Sequence, residues 1–138
     1  MIDFNSETDF EFEDDAKIAN WISSVIAFEG YEEGDISFVF CDDAYLLKLN
    51  QQFLDHDTLT DIISFDNSVG KEISGEIYIS VERVTENAIE YSDSFIDELH
   101  RVIIHGILHY CGYQDKVEED IIKMRQKEND SLRMFKEA

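Results

Sequence analysis

The segment from Ser94 to Gly112 carries the most regular pattern of apolar side chains in the chain, and it restricts the fold more than any other feature. Its apolar residues recur at helical spacing: Ile96, Leu99, Val102, Ile103, Ile107 and Tyr110. Ser94 is a residue type that caps helix N-termini, and Gly112 stands where a helix commonly ends in a left-handed backbone conformation. The pattern predicts a long amphipathic helix with one face packed on the core.

Shorter patterns predict the elements around this helix. The apolar residues of an earlier helix, which ends near Gly30, are Ile18, Trp21, Ile22, Val25 and Ile26. Strands are expected over residues 35–40, 60–65 and 75–81, and further helices follow Asp42, cover 82–90 and run from about Ile121 to Phe135. Helices interleaved with strands indicate an α+β (α/β-like) fold, a small mixed sheet covered by helices. No repeat or linker is visible, so residues 1–138 are expected to form a single domain.

Composition excludes several classes of protein. The chain has 32 acidic residues and 11 Lys or Arg, a formal net charge of −21, which argues against broad electrostatic binding to nucleic acid or anionic lipid. At 43% hydrophobic residues, the chain is expected to fold. It has no apolar run near the ~20 residues that span a bilayer, no cationic signal-peptide start, and only Cys41 and Cys111 as cysteines. These features predict a cytoplasmic protein with no membrane partner.

The acidic residues are concentrated at the front of the chain. The first 43 residues hold 13 acids and one base, Lys17, for a net charge of −12, whereas six acids and six bases follow from Lys116 onward. This acidic front is either a solvated face that keeps the protein soluble or a docking surface for a basic partner.

Three of the four histidines lie inside the predicted long helix, and two of them share a face. His105 and His109 are four residues apart, about one helical turn, so their imidazoles can bind the same metal ion. His100 lies about 140° further round the helix at ~100° per residue and is expected to point elsewhere.

The end of this helix supplies a third candidate ligand. A chain reversal at Gly112 would bring Tyr113, Gln114 or Asp115 back toward the two imidazoles, and only Asp115 among them is anionic. The expected site is therefore His105, His109 and Asp115, three protein ligands with one position left for a metal-bound water, as in catalytic zinc sites. The site would lie on the long central helix and the turn after it.

The same residues also fit arrangements without a catalytic metal. A histidine pair at this spacing also occurs on surfaces or hydrogen-bonded in a core, so the pair alone is a modest signal. Cys111 is either a soft ligand or, because it lies on another face, a small buried residue. Gly106 occupies the position that holds the general-base glutamate in the zinc-protease motif His-Glu-x-x-His, which disfavours that mechanism.

Residues 105–115 read His-Gly-Ile-Leu-His-Tyr-Cys-Gly-Tyr-Gln-Asp and resemble the signature of the YbeY proteins, bacterial metal-dependent endoribonucleases implicated in ribosomal RNA maturation. Segments 59–65, 75–80 and 98–102 are similar to the family's other recurrent blocks, in the same order. The resemblance covers most of residues 35–115.

Two positions depart from the family's pattern. Asp115 stands where the family usually has a histidine ligand, and Leu54 stands where it commonly has an arginine thought to help hold phosphate. His56 is either a partial substitute for that arginine or an ordinary loop histidine. Ser64 is a candidate substrate-binding residue. Asp61 is a candidate proton acceptor, although an aspartate there also commonly caps a turn or strand edge.

The resemblance implies a zinc-dependent, single-strand-specific endoribonuclease with one divalent metal ion per chain. It would act in ribosome biogenesis, on the 3′ end of small-subunit ribosomal RNA, with RNA and possible ribosomal proteins as partners. Two alternatives stay open: a metal-dependent hydrolase of another substrate class, resembling a metallopeptidase, and a ribosome-associated binding module with a structural metal.

Overall fold

Four strands form one mixed sheet in the computed structural model, which describes residues 1–53 and 60–137. The strands are β1 (Ile2–Ser6), β2 (Glu32–Cys41), β3 (Ile62–Asp66) and β4 (Glu72–Ser80). Their spatial order is β1-β2-β4-β3, in which β1, β2 and β4 run parallel and β3 is antiparallel to β4. The edge formed by β3 is the one nearest to the predicted metal site.

The helices of the described residues lie in the segments where the sequence predicts helices. They are α1 (Asp15–Phe28), α2 (Asp43–Phe53), α3 (Val81–Glu90), α4 (Phe95–Tyr110) and α5 (Glu118–Glu137). Each overlaps the segment in which the sequence predicts a helix. The mixed sheet with its covering helices confirms the predicted α+β fold.

Strand β1 is the element that sequence reasoning missed. It is five residues long, and its apolar signal consists of Ile2 and Phe4 alone. The strand forms because it pairs in parallel with β2, with Ile2 beside Ile36 and Phe4 beside Phe38. An isolated segment of this length has no such partner, so its own sequence carries little strand signal.

The core lies mainly on one face of the sheet, between the strands and α4. Ile103, Ile104 and Ile107 of α4 are fully buried, as are Phe38 and Ile77 of the facing strands. Burying each such side chain contributes about 1.5–3 kcal/mol. Helix α2 covers the other face through a smaller cluster of Cys41, Leu46 and Ile63. Helix α4 is therefore held in a single orientation on the sheet.

Both ends of α4 have the local chemistry that the sequence predicts. The Ser94 hydroxyl accepts a 3.0 Å hydrogen bond from the backbone N–H of Asp97. At the C-terminus, Gly112 has φ 98°, and the N–H groups of Gly112 and Tyr113 donate to the carbonyls of His109 and Leu108. This pair of bonds is a Schellman motif, which turns the chain back along the helix it has just left.

No helix in the described parts of the chain is long and apolar enough to cross a membrane.

Replacing Ile103 with alanine should strongly destabilise the protein, because Ile103 is fully buried and the change leaves a cavity beneath α4. We expect the free energy of unfolding to fall by about 2–5 kcal/mol. The matched control is Ile96→Ala on the same helix, where the isoleucine is 53% exposed and the expected loss is below about 1 kcal/mol. Urea denaturation followed by the fluorescence of Trp21, the single tryptophan, measures both. Equal losses in the two variants would contradict this account of the core.

Candidate metal centre

His105 and His109 project from a partly exposed edge of α4. Their side chains are 21% and 27% exposed, and their Nε2 atoms lie 3.0 Å apart. The two rings are nearly perpendicular, with centroids 4.5 Å apart. The helical spacing thus brings both nitrogens to one point, as expected for residues one turn apart.

Asp115 reaches the same point because the Schellman motif reverses the chain at Gly112. Its Oδ2 atom lies 3.2 Å from Nε2 of His105 and 3.2 Å from Nε2 of His109. Tyr113, one of the alternatives that the sequence left open, instead donates its hydroxyl to Glu29 at 2.6 Å. The third group at the site is therefore the carboxylate.

The three donor atoms fit a small divalent cation. Their separations of 3.0, 3.2 and 3.2 Å are close to the roughly 3.3 Å between ligands at the corners of a tetrahedron around zinc, given bonds of about 2.0–2.1 Å. Two imidazoles and a carboxylate are also a donor set that zinc accepts. Within residues 1–53 and 60–137, this is the one group of three or more His, Cys, Asp or Glu residues close enough to hold a metal.

Glu128 of α5 orients the His105 ring through Nδ1, the ring nitrogen that does not face the site. Its Oε2 atom lies 2.7 Å from Nδ1 of His105, and its Oε1 accepts a 3.0 Å hydrogen bond from Arg101. With Nδ1 donating its proton to Glu128, the lone pair of Nε2 faces Asp115 and His109. The Glu128 side chain is only 6% exposed, so this geometry is held inside the protein.

The protonation of this pair follows from its surroundings. Burial raises the pKa of Glu128, but the hydrogen bonds from His105 and Arg101 outweigh burial, so the net pKa lies below the ordinary value. Burial lowers the pKa of His105, and the hydrogen bond and charge of Glu128 more than offset it, so the net pKa is raised. Glu128 is therefore an anionic acceptor for the imidazole.

Sequence reasoning missed Glu128, although the sequence contains a signal for it. The inward-facing stripe of α5 contains Met124, Leu132 and Phe135, and position 128 falls on that stripe. A glutamate at an apolar position must be paired, because burying an unpaired carboxylate is costly. The sequence alone does not say that its partners are Arg101 and His105.

The structure also shows where three other residues in or near the motif lie: His100, Cys111 and Gly106. His100 points to the opposite side of α4, where it packs against Trp21 and Phe135 with centroids 5.9 and 5.0 Å away. Cys111 is buried, and burial raises the pKa of its thiol to about 12, so it stays a neutral thiol. At Gly106, a Cβ atom would lie 3.0 Å from Cδ1 of Ile62, so this position faces the sheet and has no room for a glutamate.

Two openings meet at the three donor atoms. A cavity of about 360 Å³ lies on the side of α3 and α5 and is lined by His105, Asp115 and Asp61, among others. A groove of about 570 Å³ lies on the side of β3 and is lined by His109, Asp115 and Ser64, among others. The donor atoms are therefore reachable from both sides.

The other residues that the sequence suggested for catalysis or substrate binding lie at different places. Asp61 lies just before β3, accepts a 3.2 Å hydrogen bond from Nδ2 of Asn87, and has a raised pKa because it is buried. It lines the same cavity as His105, whereas Ser64 lines the groove with His109. His56 and Leu54 lie outside the described residues.

Comparison with known proteins agrees with the sequence motif. The family model described as Endoribonuclease YbeY matches residues 2–136. Endoribonuclease YbeY of Flavobacterium psychrophilum is 57% identical over 135 residues, covering 98% of this chain and 96% of that protein. The Porphyromonas gingivalis protein of the same name is 48% identical over 121 residues, covering 88% and 80%.

The fold has a counterpart among solved structures. The solution structure of a Thermotoga maritima protein matches with a TM-score of 0.66 and 25% identity, covering 99% of this chain and 93% of that one. The family model and the sequence identities extend over nearly the whole chain. This protein is a member of the YbeY endoribonuclease family.

Proposed function

We propose that this protein is a zinc-dependent endoribonuclease that cuts single-stranded RNA, with the metal held by His105, His109 and Asp115. The observation that carries the proposal is the convergence of their three donor atoms within 3.2 Å of one another, between two open cavities. The name endoribonuclease, carried by relatives as similar as 57% identical, supports RNA as the substrate.

The metal would supply Lewis acidity, lowering the pKa of water toward about 7 and polarising a phosphoryl oxygen. The chain supplies the rest of the chemistry. Glu128 holds the Nδ1 proton of His105 and keeps Nε2 directed at the site. Asp61 would accept the proton, because it lines the cavity that His105 lines and burial raises its pKa, which makes it a stronger base than an exposed aspartate.

A peptidase of the His-Glu-x-x-His type is disfavoured by packing as well as by sequence. The position after His105 is Gly106, whose missing side chain makes room for Ile62 and Ile77 of the sheet. A glutamate at this position would point into the core and not toward a substrate. The structure of α4 thus leaves proton transfer to groups on other elements.

We further propose that the substrate is ribosomal RNA, at the 3′ end of the small-subunit RNA, and that ribosomal proteins meet the acidic front. The first 43 residues form β1, α1 and β2, and none of their 13 acidic residues lines either cavity at the metal centre. The acidic residues of this front thus lie outside the cleft and are available to a basic protein.

The zinc-loaded protein should cleave a short single-stranded RNA, and the variants His105→Ala, His109→Ala and Asp115→Ala should reduce cleavage to the level of a buffer control. Each change removes one of three donor atoms. His100→Ala is the matched control, since His100 is on the same helix but packs on Trp21, and it should retain cleavage despite some loss of stability. Cleavage that persists in the three ligand variants would refute the site, and hydrolysis of peptides but not RNA would indicate the peptidase alternative.

Glu128→Gln should weaken zinc binding by about 10- to 100-fold, the usual effect of removing a carboxylate behind a histidine ligand. The amide keeps the shape of the side chain but removes the charge that fixes the His105 tautomer. Competition with a fluorescent zinc chelator measures the affinity without any RNA. Glu119→Gln, an exposed glutamate of the same helix, is the control and should bind zinc as the wild type does. An unchanged affinity in Glu128→Gln would contradict the orienting role.

Removing the metal with a chelator should abolish cleavage while the protein stays folded. The ligands lie at the edge of a core whose central side chains are fully buried without them. Circular dichroism should therefore keep its helical signal, and the metal should add stability only by mass action, about 2.7 kcal/mol at a free concentration of 100 times Kd. An unfolded metal-free chain would favour the binding module with a structural metal.

A further inference from the structure

The cavity on the α5 side of the metal centre has the size of a small-ligand site. Its volume of about 360 Å³ lies at the lower end of the roughly 300–1,000 Å³ of ligand pockets. It begins at His105 and Asp115 and extends between α3, α4 and α5. A group bound there would lie directly beside the metal.

Among the charged residues that line this cavity, Arg125 has a guanidinium that could bind a ligand. Its acidic lining residues are Asp61, Glu98, Asp115 and Glu128, and its arginines are Arg101 and Arg125. Arg101 is 19% exposed and bonded to Glu128 at 3.0 Å. Arg125 is 58% exposed and touches Glu128 only at 3.5 Å. A guanidinium carries five N–H donors, so this one long contact leaves donors of Arg125 for a ligand in the cavity that it lines.

The same cavity has an apolar wall with an exposed aromatic ring. Tyr91, which follows α3, is 62% exposed, and Ile121 of α5 is 50% exposed. Both line the cavity. Exposed aromatic rings beside a cationic group are the usual means by which proteins hold single-stranded nucleic acid, because every base has a face that stacks.

We infer that Tyr91 and Arg125 form a subsite for one unpaired RNA nucleotide beside the metal centre, with the base on Tyr91 and Ile121 and a phosphate on Arg125. This inference rests on the proposed function, since it names the residues that would bind the substrate next to the cut. The exposed guanidinium of Arg125 would also allow a chain with a net charge of −21 to bind a phosphate. A paired base cannot leave its stack without cost, so the subsite would favour single strands over duplexes.

The test is binding of a short fluorescent 2′-O-methyl RNA to the zinc-loaded protein, followed by anisotropy over a range of salt concentrations. Arg125→Ala should weaken binding and reduce the slope of log Kd against log salt by about 0.7, the value for one phosphate contact on a single strand. Tyr91→Ala should weaken binding by about 5- to 100-fold, and Tyr91→Phe, which keeps the ring, should bind like the wild type.

Arg133→Ala is the matched control for the arginine. Arg133 lies on the same helix, is 63% exposed and has a similar contact with an acidic residue three positions away, Asp130, but it does not line this cavity. It should leave both the affinity and the salt slope unchanged. Loss of affinity in Arg125→Ala and Tyr91→Ala, with Arg133→Ala unaffected, would support the subsite.

Cleavage of an unmodified RNA by the same proteins separates this inference from the proposed function. Two results in a wild type that cleaves RNA would overturn the subsite and leave the proposed function intact. One is an equal loss of binding in Arg125→Ala and Arg133→Ala, and the other is unchanged binding in Tyr91→Ala. A wild type that neither binds nor cleaves RNA would overturn both.

Discussion

The packing of α4 on the sheet is the constraint on which the rest of the structure depends. Its buried face, which includes Ile103 and Ile107, leaves one orientation for the helix, and Gly106 allows the close approach to Ile62. His105 and His109 then emerge along an edge of the helix that the sheet does not cover. A helix that turned slightly about its axis would bury the imidazoles or separate them from Asp115. The hydrophobic core therefore sets the position of the site although it supplies none of its donor atoms.

Glu128 illustrates how an interior charge is tolerated in such a position. Its carboxylate is 6% exposed, but it receives hydrogen bonds from Arg101 and His105, so the cost of burial is offset by two charge-assisted contacts. A hydrophobic residue there would leave the Nδ1 proton of His105 without its acceptor and the ring free to change its tautomer. The buried carboxylate thus fixes the orientation of the imidazole.

The acidic residues of the protein are densest at the front of its chain. The acidic front forms β1, α1 and β2, whereas the openings at the donor atoms are lined by residues from position 50 onward. A net charge of −21 argues against an extended basic surface for nucleic acid, and none is needed if phosphate is bound locally by a metal and one exposed arginine. The expectation from composition and the family membership of the chain are compatible for this reason.

Local patterns in the sequence determined the helices, three of the strands, the cap at Ser94 and the reversal at Gly112, because each depends on residues within one or two turns of chain. They also placed His105 and His109 on one face. Only the tertiary structure decided that β1 pairs with β2, that Glu128 meets His105, and that Tyr91 and Arg125 border one cavity. These contacts join residues that are distant in sequence, and no periodicity within a single segment encodes which partner a strand edge or a buried carboxylate will find.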